Sequence, residues 1–182
     1  MVHFPLHSVE SAPEASRPGL TRAGEVYGNV PNMYRMLAEA PVALDAYQRL
    51  GEIFAESSLT PLEQQIVYIT AAHKNQCHYC TAQVPPFGAG EAGRSLAELV
   101  RSGGRLPDPK LQALRSFTAS LVEQRGWVSE TMVEAFMDAG YDRAQILEVI
   151  TGVALVTISS YSNHLAATPI DGDEPAVQRL AS

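Results

Sequence analysis

The helix start signals in this chain constrain its fold most strongly. The clearest is Thr60-Pro61-Leu62-Glu63, which combines a capping hydroxyl, a proline at the first helical position and a carboxylate at the third. Apolar residues follow at helical spacing to about residue 73 or 74, where Asn75-Gln76 interrupts the pattern. This motif predicts an α-helix that begins at Pro61.

Similar signals predict a series of further helices along the chain. The predicted segments are 33–38, a helix opened by Pro41, a short helix over 77–83, 91–101, a helix opened by Asp108-Pro109 that stops at Gly126, a helix from Ser129 to Gly140, and a last helix begun by a capping box of Asp142 and Gln145. The last helix is apolar nearly all round between 146 and 158, which indicates burial inside a bundle or against a second subunit.

The composition also favours helices packed on helices. Aromatic residues make up only 7% of the chain, alternating apolar runs are few, and 182 residues with 46% hydrophobic content suffice for one core. We therefore predict an all-α fold with one helical domain over 31–171 and a C-terminal tail over 172–182. Prolines and glycines without a sustained period predict an irregular N-terminal arm over 1–30.

Charge and hydropathy argue against two classes of partner. The chain has 13 Lys and Arg against 20 Asp and Glu, and a net charge of −7 disfavours a surface that binds nucleic acid through phosphates. No run approaches the roughly 18 consecutive apolar residues of a membrane-spanning helix, and the N-terminus lacks a signal-peptide pattern. We expect a cytoplasmic protein with no nucleic-acid or membrane partner.

The chain has two cysteines, Cys77 and Cys80, which are too close in sequence to link distant segments. In a reducing compartment such a pair is redox-active or forms half of a metal site. His73 and His78 lie nearby, but ligands crowded on adjacent turns rarely complete a tetrahedral zinc site, so we expect no metal. A structural dithiol is the remaining alternative.

The order of these motifs resembles a known superfamily. A proline-capped helix with Glu63 is followed by Asn75-x-Cys77-x-Tyr79-Cys80, and a buried helix ends in Asn163-His164 and Thr168-Pro169-Ile170-Asp171. Over about residues 5–171 the chain resembles the carboxymuconolactone decarboxylase-like superfamily, specifically its alkylhydroperoxidase D-like, peroxidase-related branch.

The resemblance implies an all-helical homo-oligomer (a trimer, hexamer or dimer) that reduces organic hydroperoxides without a cofactor. By this resemblance Cys80 attacks the peroxide and becomes a sulfenic acid, and Cys77 donates a proton and then forms the disulfide. An external dithiol or thiol-protein reductant then restores the pair.

The proton relay of that branch is absent from this chain. The family's glutamate, twelve residues before the first cysteine, is Gln65 here, and its histidine, four residues after the second cysteine, is Val84. Neither side chain exchanges a proton near neutral pH. His78 and His73 are the candidate replacement bases, and we expect Gln65, Val84 and His164 to line the substrate site.

Two other functions stay open from the sequence. One is a decarboxylase or isomerase acting on a small carboxylated, lactone-like substrate, as in the other branch of the superfamily. The other is a non-catalytic oligomeric protein that keeps the fold and has lost the chemistry, whose thiols would react slowly and unselectively.

Overall fold

In the computed structural model, the residues described are 3–83 and 90–172, and they form nine α-helices and no strand. The helices are α1 (Arg17–Tyr27), α2 (Asn32–Leu37), α3 (Pro41–Ala55), α4 (Pro61–Lys74), α5 (His78–Ala82), α6 (Gly90–Arg101), α7 (Pro109–Glu123), α8 (Glu130–Asp138) and α9 (Arg143–Ala166). The predicted all-α architecture is confirmed. Three of the helices begin at the prolines that predicted them, Pro41, Pro61 and Pro109.

The chain divides into two compact units, which are described separately. One contains residues 50–160, and the other contains the described residues on either side, 3–49 and 161–172. The arm, domain and tail boundaries at 30/31 and 171/172 stay predictions, and residues 173–182 of the tail lie outside the described residues.

The expectation of an irregular arm over 1–30 is wrong for Arg17–Tyr27, which forms α1. Its glycines suggested a loop, but Gly19 allows close helix packing instead. A Cβ at Gly19 would lie 2.7 Å from Gln48 Oε1 and 2.8 Å from Leu44 Cδ2, both on α3. The Gln48 side chain also donates a hydrogen bond to the Gly19 carbonyl at 2.9 Å. Glycine is therefore needed here by the neighbouring helix rather than by a turn.

Helix α4 is the centre of the unit formed by residues 50–160. Every residue from Glu63 to Ala72 is buried, and α4 packs against α5, α6 and α7. Gly152 of α9 lies against Phe54 and Val67, because a Cβ there would come within 2.6 Å and 2.8 Å of their side chains. The missing side chain lets α9 approach the core closely.

The predicted burial of α9 holds for one side of this helix. Val149 and Val156 are fully buried, whereas Leu147 is 65% exposed. The helix is long and apolar enough to cross a membrane, the only one among the described residues, but the core helix of a soluble protein meets the same criterion. Its most apolar stretch is 33% buried within this chain.

A buried carboxylate links the start of α4 to α7 and to Tyr141, which lies between α8 and α9. Glu63 forms the predicted capping box with Thr60, and its carboxylate also accepts a hydrogen bond from the Tyr141 hydroxyl at 2.8 Å. The Lys110 ammonium lies 3.7 Å from Glu63 Oε1 and 4.6 Å from the centre of the Tyr141 ring. Burial raises the pKa of Glu63, but the Thr60 and Tyr141 hydrogen bonds and the Lys110 charge together hold it below its usual value.

Glu63→Gln is expected to lower the free energy of unfolding at pH 7 by about 1 to 3 kcal/mol. The glutamine amide would place its NH₂ group, a donor, opposite the donors of Thr60 or Tyr141. A carboxylate whose pKa is lowered by folding stabilises the protein above about pH 4.3, and this contribution is lost as the pH falls through the folded pKa. The variant should therefore lose less stability than the wild type on acidification. Urea unfolding at several pH values measures both effects.

Glu130→Gln is the matched control, because Glu130 is an exposed glutamate in the first turn of α8. Its stability should stay within about 0.5 kcal/mol of the wild type. If Glu63→Gln and the wild type lose equal stability on acidification, the lowered pKa of Glu63 in the folded protein is contradicted.

The junction between α4 and α5 has the hydrogen bonds of a Schellman motif. The Gln76 N–H donates to the His73 carbonyl at 3.0 Å, and the Cys77 N–H donates to the Ala72 carbonyl at 3.0 Å. Gln76 has a φ of 57°, a left-handed conformation that glycine adopts more easily than glutamine. The predicted interruption at Asn75-Gln76 is thus a defined turn that fixes where Cys77 lies.

Two substitutions test this turn in opposite directions. Gln76→Gly should raise the free energy of unfolding by up to about 1 kcal/mol, because glycine relieves left-handed strain at some cost in chain entropy. Gln76→Val should lower it by about 1 to 2 kcal/mol, since a β-branched side chain is poorly tolerated there. If urea unfolding shows that Gln76→Gly and Gln76→Val destabilise the protein equally, backbone strain at Gln76 is disproved.

Candidate active site

Cys77 ends one helix and begins the next. Its backbone N–H completes the turn after α4, and its side chain is the N-cap of α5, where Cys77 Sγ accepts a hydrogen bond from the Cys80 N–H at 3.2 Å. The two cysteines are joined as a disulfide, and each is only 1% exposed. The predicted short helix after Asn75-Gln76 is confirmed, and it places both sulfurs within one helical turn.

The Cys80 sulfur also contacts two hydroxyl groups of α9. Ser159 Oγ lies 3.6 Å from Cys80 Sγ, and Ser160 Oγ lies 3.7 Å from it. Both serines are fully buried. The Ser159 hydroxyl donates to the Val156 carbonyl at 3.0 Å, so its lone pairs are available to the sulfur. The polar groups around Cys80 thus include two neutral hydroxyls.

Helix α6 holds the end of the cysteine helix through an arginine. The Arg101 guanidinium donates to the Thr81 carbonyl at 2.8 Å and lies 3.4 Å from Glu98 of its own helix. The Thr81 hydroxyl donates to the Cys77 carbonyl at 3.0 Å. These contacts hold both ends of the short helix α5 in place.

The two histidines predicted as replacement bases lie near the cysteines in sequence but do not bind them. His78 is exposed in the first turn of α5, and His73 is partly buried in the last turn of α4. Within the residues that the structure describes, neither imidazole forms a hydrogen bond with a cysteine sulfur. Because α4 ends at Lys74, His73 does not share a helix with Cys77.

The three residues predicted to line the substrate site have different surroundings. Gln65 is 7% exposed on α4, and its amide forms no hydrogen bond within residues 3–83 and 90–172. His164 is exposed in the last turn of α9, where a basic side chain interacts favourably with the helix C-terminus. Val84 lies outside the described residues. Their role at a substrate site stays a prediction.

Sequence reasoning missed the serines and Arg101. The signal for Ser159 and Ser160 was present, because two adjacent hydroxyls directly follow the largely apolar stretch 146–158 of a helix that is buried on one side. Buried hydroxyls require partners, so this pair indicated a polar contact within the core. The identity of that partner depends on how α9 packs against α5, which no local pattern specifies.

No group of three or more His, Cys, Asp or Glu side chains arranged to hold a metal ion occurs in the described part of the chain. The contacts of the cysteine pair given above are to a backbone amide and to hydroxyls.

Solved structures with the same architecture were found, although no family model and no curated protein matches the chain. An alkylhydroperoxidase AhpD core, an uncharacterized peroxidase-related protein from Ralstonia eutropha JMP134, superposes with a TM-score of 0.80 and 19% identity over 94% of this chain and 93% of that chain. An uncharacterized peroxidase-related protein from Silicibacter sp. TM1040 gives a TM-score of 0.70 and 20% identity over 92% and 88%.

A third similar structure is the debrominase Bmp8, with a TM-score of 0.77 and 13% identity over 94% of this chain and 93% of that chain. A cysteine-to-alanine variant of Bmp8 has been solved in complex with 2,3,4-tribromopyrrole. Proteins with different names therefore share this architecture, and identities of 13–20% establish the fold alone. This chain has the fold of the alkylhydroperoxidase AhpD core.

Proposed function

We propose that the protein is a thiol-dependent peroxidase that reduces organic hydroperoxides through Cys77 and Cys80. One observation carries the proposal: the two cysteines form a disulfide across the first turn of α5, with Cys77 as the N-cap. A pair that close can form and break its bond without moving distant segments of the chain. The peroxidase-related names of two structures with the same fold support the proposal.

The proposed cycle begins with the reduced pair. The Cys80 thiolate attacks one peroxide oxygen, the O–O bond breaks, and the leaving alkoxide takes the thiol proton of Cys77, which gives an alcohol, a Cys80 sulfenic acid and a Cys77 thiolate. The Cys77 thiolate then attacks the Cys80 sulfur, the disulfide forms, and hydroxide leaves and is protonated to water. Two electrons pass from the dithiol to the peroxide.

An external dithiol completes the cycle. It transfers two electrons and two protons to the disulfide and is itself oxidised to a disulfide, so that one hydroperoxide and one dithiol yield one alcohol, one water and one oxidised dithiol. Small dithiols or thiol proteins supply this step in the cytoplasm, which is the compartment we propose for the protein.

The N-cap position supports the resolving role of Cys77. Its sulfur already accepts the Cys80 N–H at 3.2 Å, and a hydrogen bond to an ionised acceptor is stronger than one to a neutral acceptor. This contact stabilises the Cys77 thiolate that must attack the sulfenic acid. The exposed His78 and the partly buried His73 remain the proposed groups for exchanging protons with solvent.

A homo-oligomer, which is a trimer, hexamer or dimer, is part of the proposal. Leu147 and Ile150 lie one turn apart on α9 and are 65% and 42% exposed. Large apolar side chains adjacent on one helix face are a common feature of subunit contacts.

Single-turnover reaction of the fully reduced protein with cumene hydroperoxide tests the activity without the natural reductant. The wild type should lose two thiols per peroxide consumed, faster than free glutathione at the same pH. Cys80→Ser should react no faster than glutathione. Cys77→Ser should stop at a sulfenic acid, which dimedone labelling and mass spectrometry detect.

The two serine variants control for each other, because each removes one sulfur from the same helical turn. Reaction of the wild type at the rate of a simple thiol would contradict the peroxidase proposal. Release of bromide from 2,3,4-tribromopyrrole by the reduced protein, without reaction with the hydroperoxide, would instead indicate a dehalogenase related to Bmp8.

A further inference from the structure

The proposed attacking sulfur lies against two adjacent serines in a part of the core closed to water. Cys80 is 1% exposed, and Ser159 and Ser160 are fully buried. Their hydroxyl oxygens lie 3.6 Å and 3.7 Å from the sulfur. In such a place a thiolate is costly unless protein groups donate hydrogen bonds to it, because water cannot take their place.

The two hydroxyls are not equivalent as partners of the sulfur. The Ser159 hydroxyl donates to the Val156 carbonyl at 3.0 Å and therefore presents lone pairs to Cys80. It is placed to accept a hydrogen bond from a protonated thiol. The Ser160 hydroxyl and the Cys80 sulfur are arranged so that either atom can donate. Ser160 is therefore placed to donate to a thiolate.

We propose that Ser160 stabilises the Cys80 thiolate by donating its hydroxyl hydrogen bond to the sulfur, while Ser159 binds the protonated thiol. The inference rests on the proposed function for its choice of Cys80 as the attacking thiol. Gln65 and Val84 occupy the positions of the relay glutamate and histidine of the branch that the chain resembles. Ser160 supplies part of the thiolate stabilisation without a side chain that titrates near neutral pH.

The charged and titratable groups on the surrounding helices do not distinguish the two serines. They are Glu63, Tyr68, His73 and Lys74 of α4, His78 and Tyr79 of α5, Glu91, Arg94, Glu98 and Arg101 of α6, and Tyr161 of α9. Helix α9 carries no Asp, Glu, Lys, Arg or His between Val149 and Asn163. Substitution of either serine leaves all of these groups in place, so a difference between the two variants reports the hydroxyls themselves.

Titration of Cys80 tests the inference directly. In the reduced Cys77→Ser protein, which leaves Cys80 as the only cysteine, thiolate absorbance at 240 nm is followed against pH for Ser160→Ala and Ser159→Ala. Ser160→Ala should raise the pKa of Cys80 by about one unit, because the thiolate loses a donor. Ser159→Ala should not raise it, because the group it removes favours the protonated thiol.

The two variants remove the same atom from neighbouring buried positions, so each is the matched control for the other. No rise in Ser160→Ala, or an equal rise in both variants, would overturn the inference. Far-ultraviolet circular dichroism confirms that each variant is folded. If Ser160→Ala does not fold, Ser160→Thr keeps the hydroxyl and should keep the wild-type pKa, and a rise of about one unit would overturn the inference.

The titration uses no peroxide, so its outcome is separate from that of the activity assay. A raised pKa in Ser160→Ala without any peroxide reaction would refute the proposed function and leave the hydrogen bond established. Peroxide reaction by the wild type with an unchanged pKa in Ser160→Ala would refute the serine inference alone. If both hold, Ser160→Ala should react about tenfold more slowly at a pH below the Cys80 pKa.

Discussion

The hydrogen bond from the Cys77 N–H to the Ala72 carbonyl fixes the point at which α4 becomes α5. The same residue caps α5 with its sulfur, so one amino acid satisfies backbone groups of two helices. Gln76 provides the left-handed turn between them. Because α4 is the most buried helix of its unit, this junction positions the cysteine pair relative to a rigid core rather than on a loop.

In the proposed function, a thiolate at this junction is stabilised in part by hydrogen-bond donors that do not titrate near neutral pH. The Cys80 N–H reaches the Cys77 sulfur, and the Ser160 hydroxyl is placed to donate to the Cys80 sulfur, whereas the Ser159 hydroxyl donates to the Val156 carbonyl. Hydrogen bonds to charged groups contribute about 1.5 to 3 kcal/mol each, or about one to two pKa units. Contacts of this size offset part of the free-energy cost of burying a thiolate, which the proposed peroxidase must meet with Gln65 in place of a glutamate.

The sequence predicted those features that depend on local patterns. The capping box of Glu63, the helix starts at prolines and the short helix after Asn75-Gln76 all follow from residues a few positions apart. It did not predict α1, since Gly19 indicates a loop unless its close approach to α3 is known. Likewise, Ser159 could be recognised as polar within an apolar helix, but its contact with Cys80 joins positions 79 residues apart.

Reversible reduction of the disulfide in the folded protein tests directly whether Cys77 and Cys80 form a working redox pair. The protein is equilibrated with defined ratios of reduced to oxidised dithiothreitol, free thiols are alkylated, and the two forms are counted by mass spectrometry while circular dichroism follows helix content. A working redox pair gives one reversible two-thiol transition at constant helix content. Reduction only after loss of helix content would contradict it and identify the disulfide as structural.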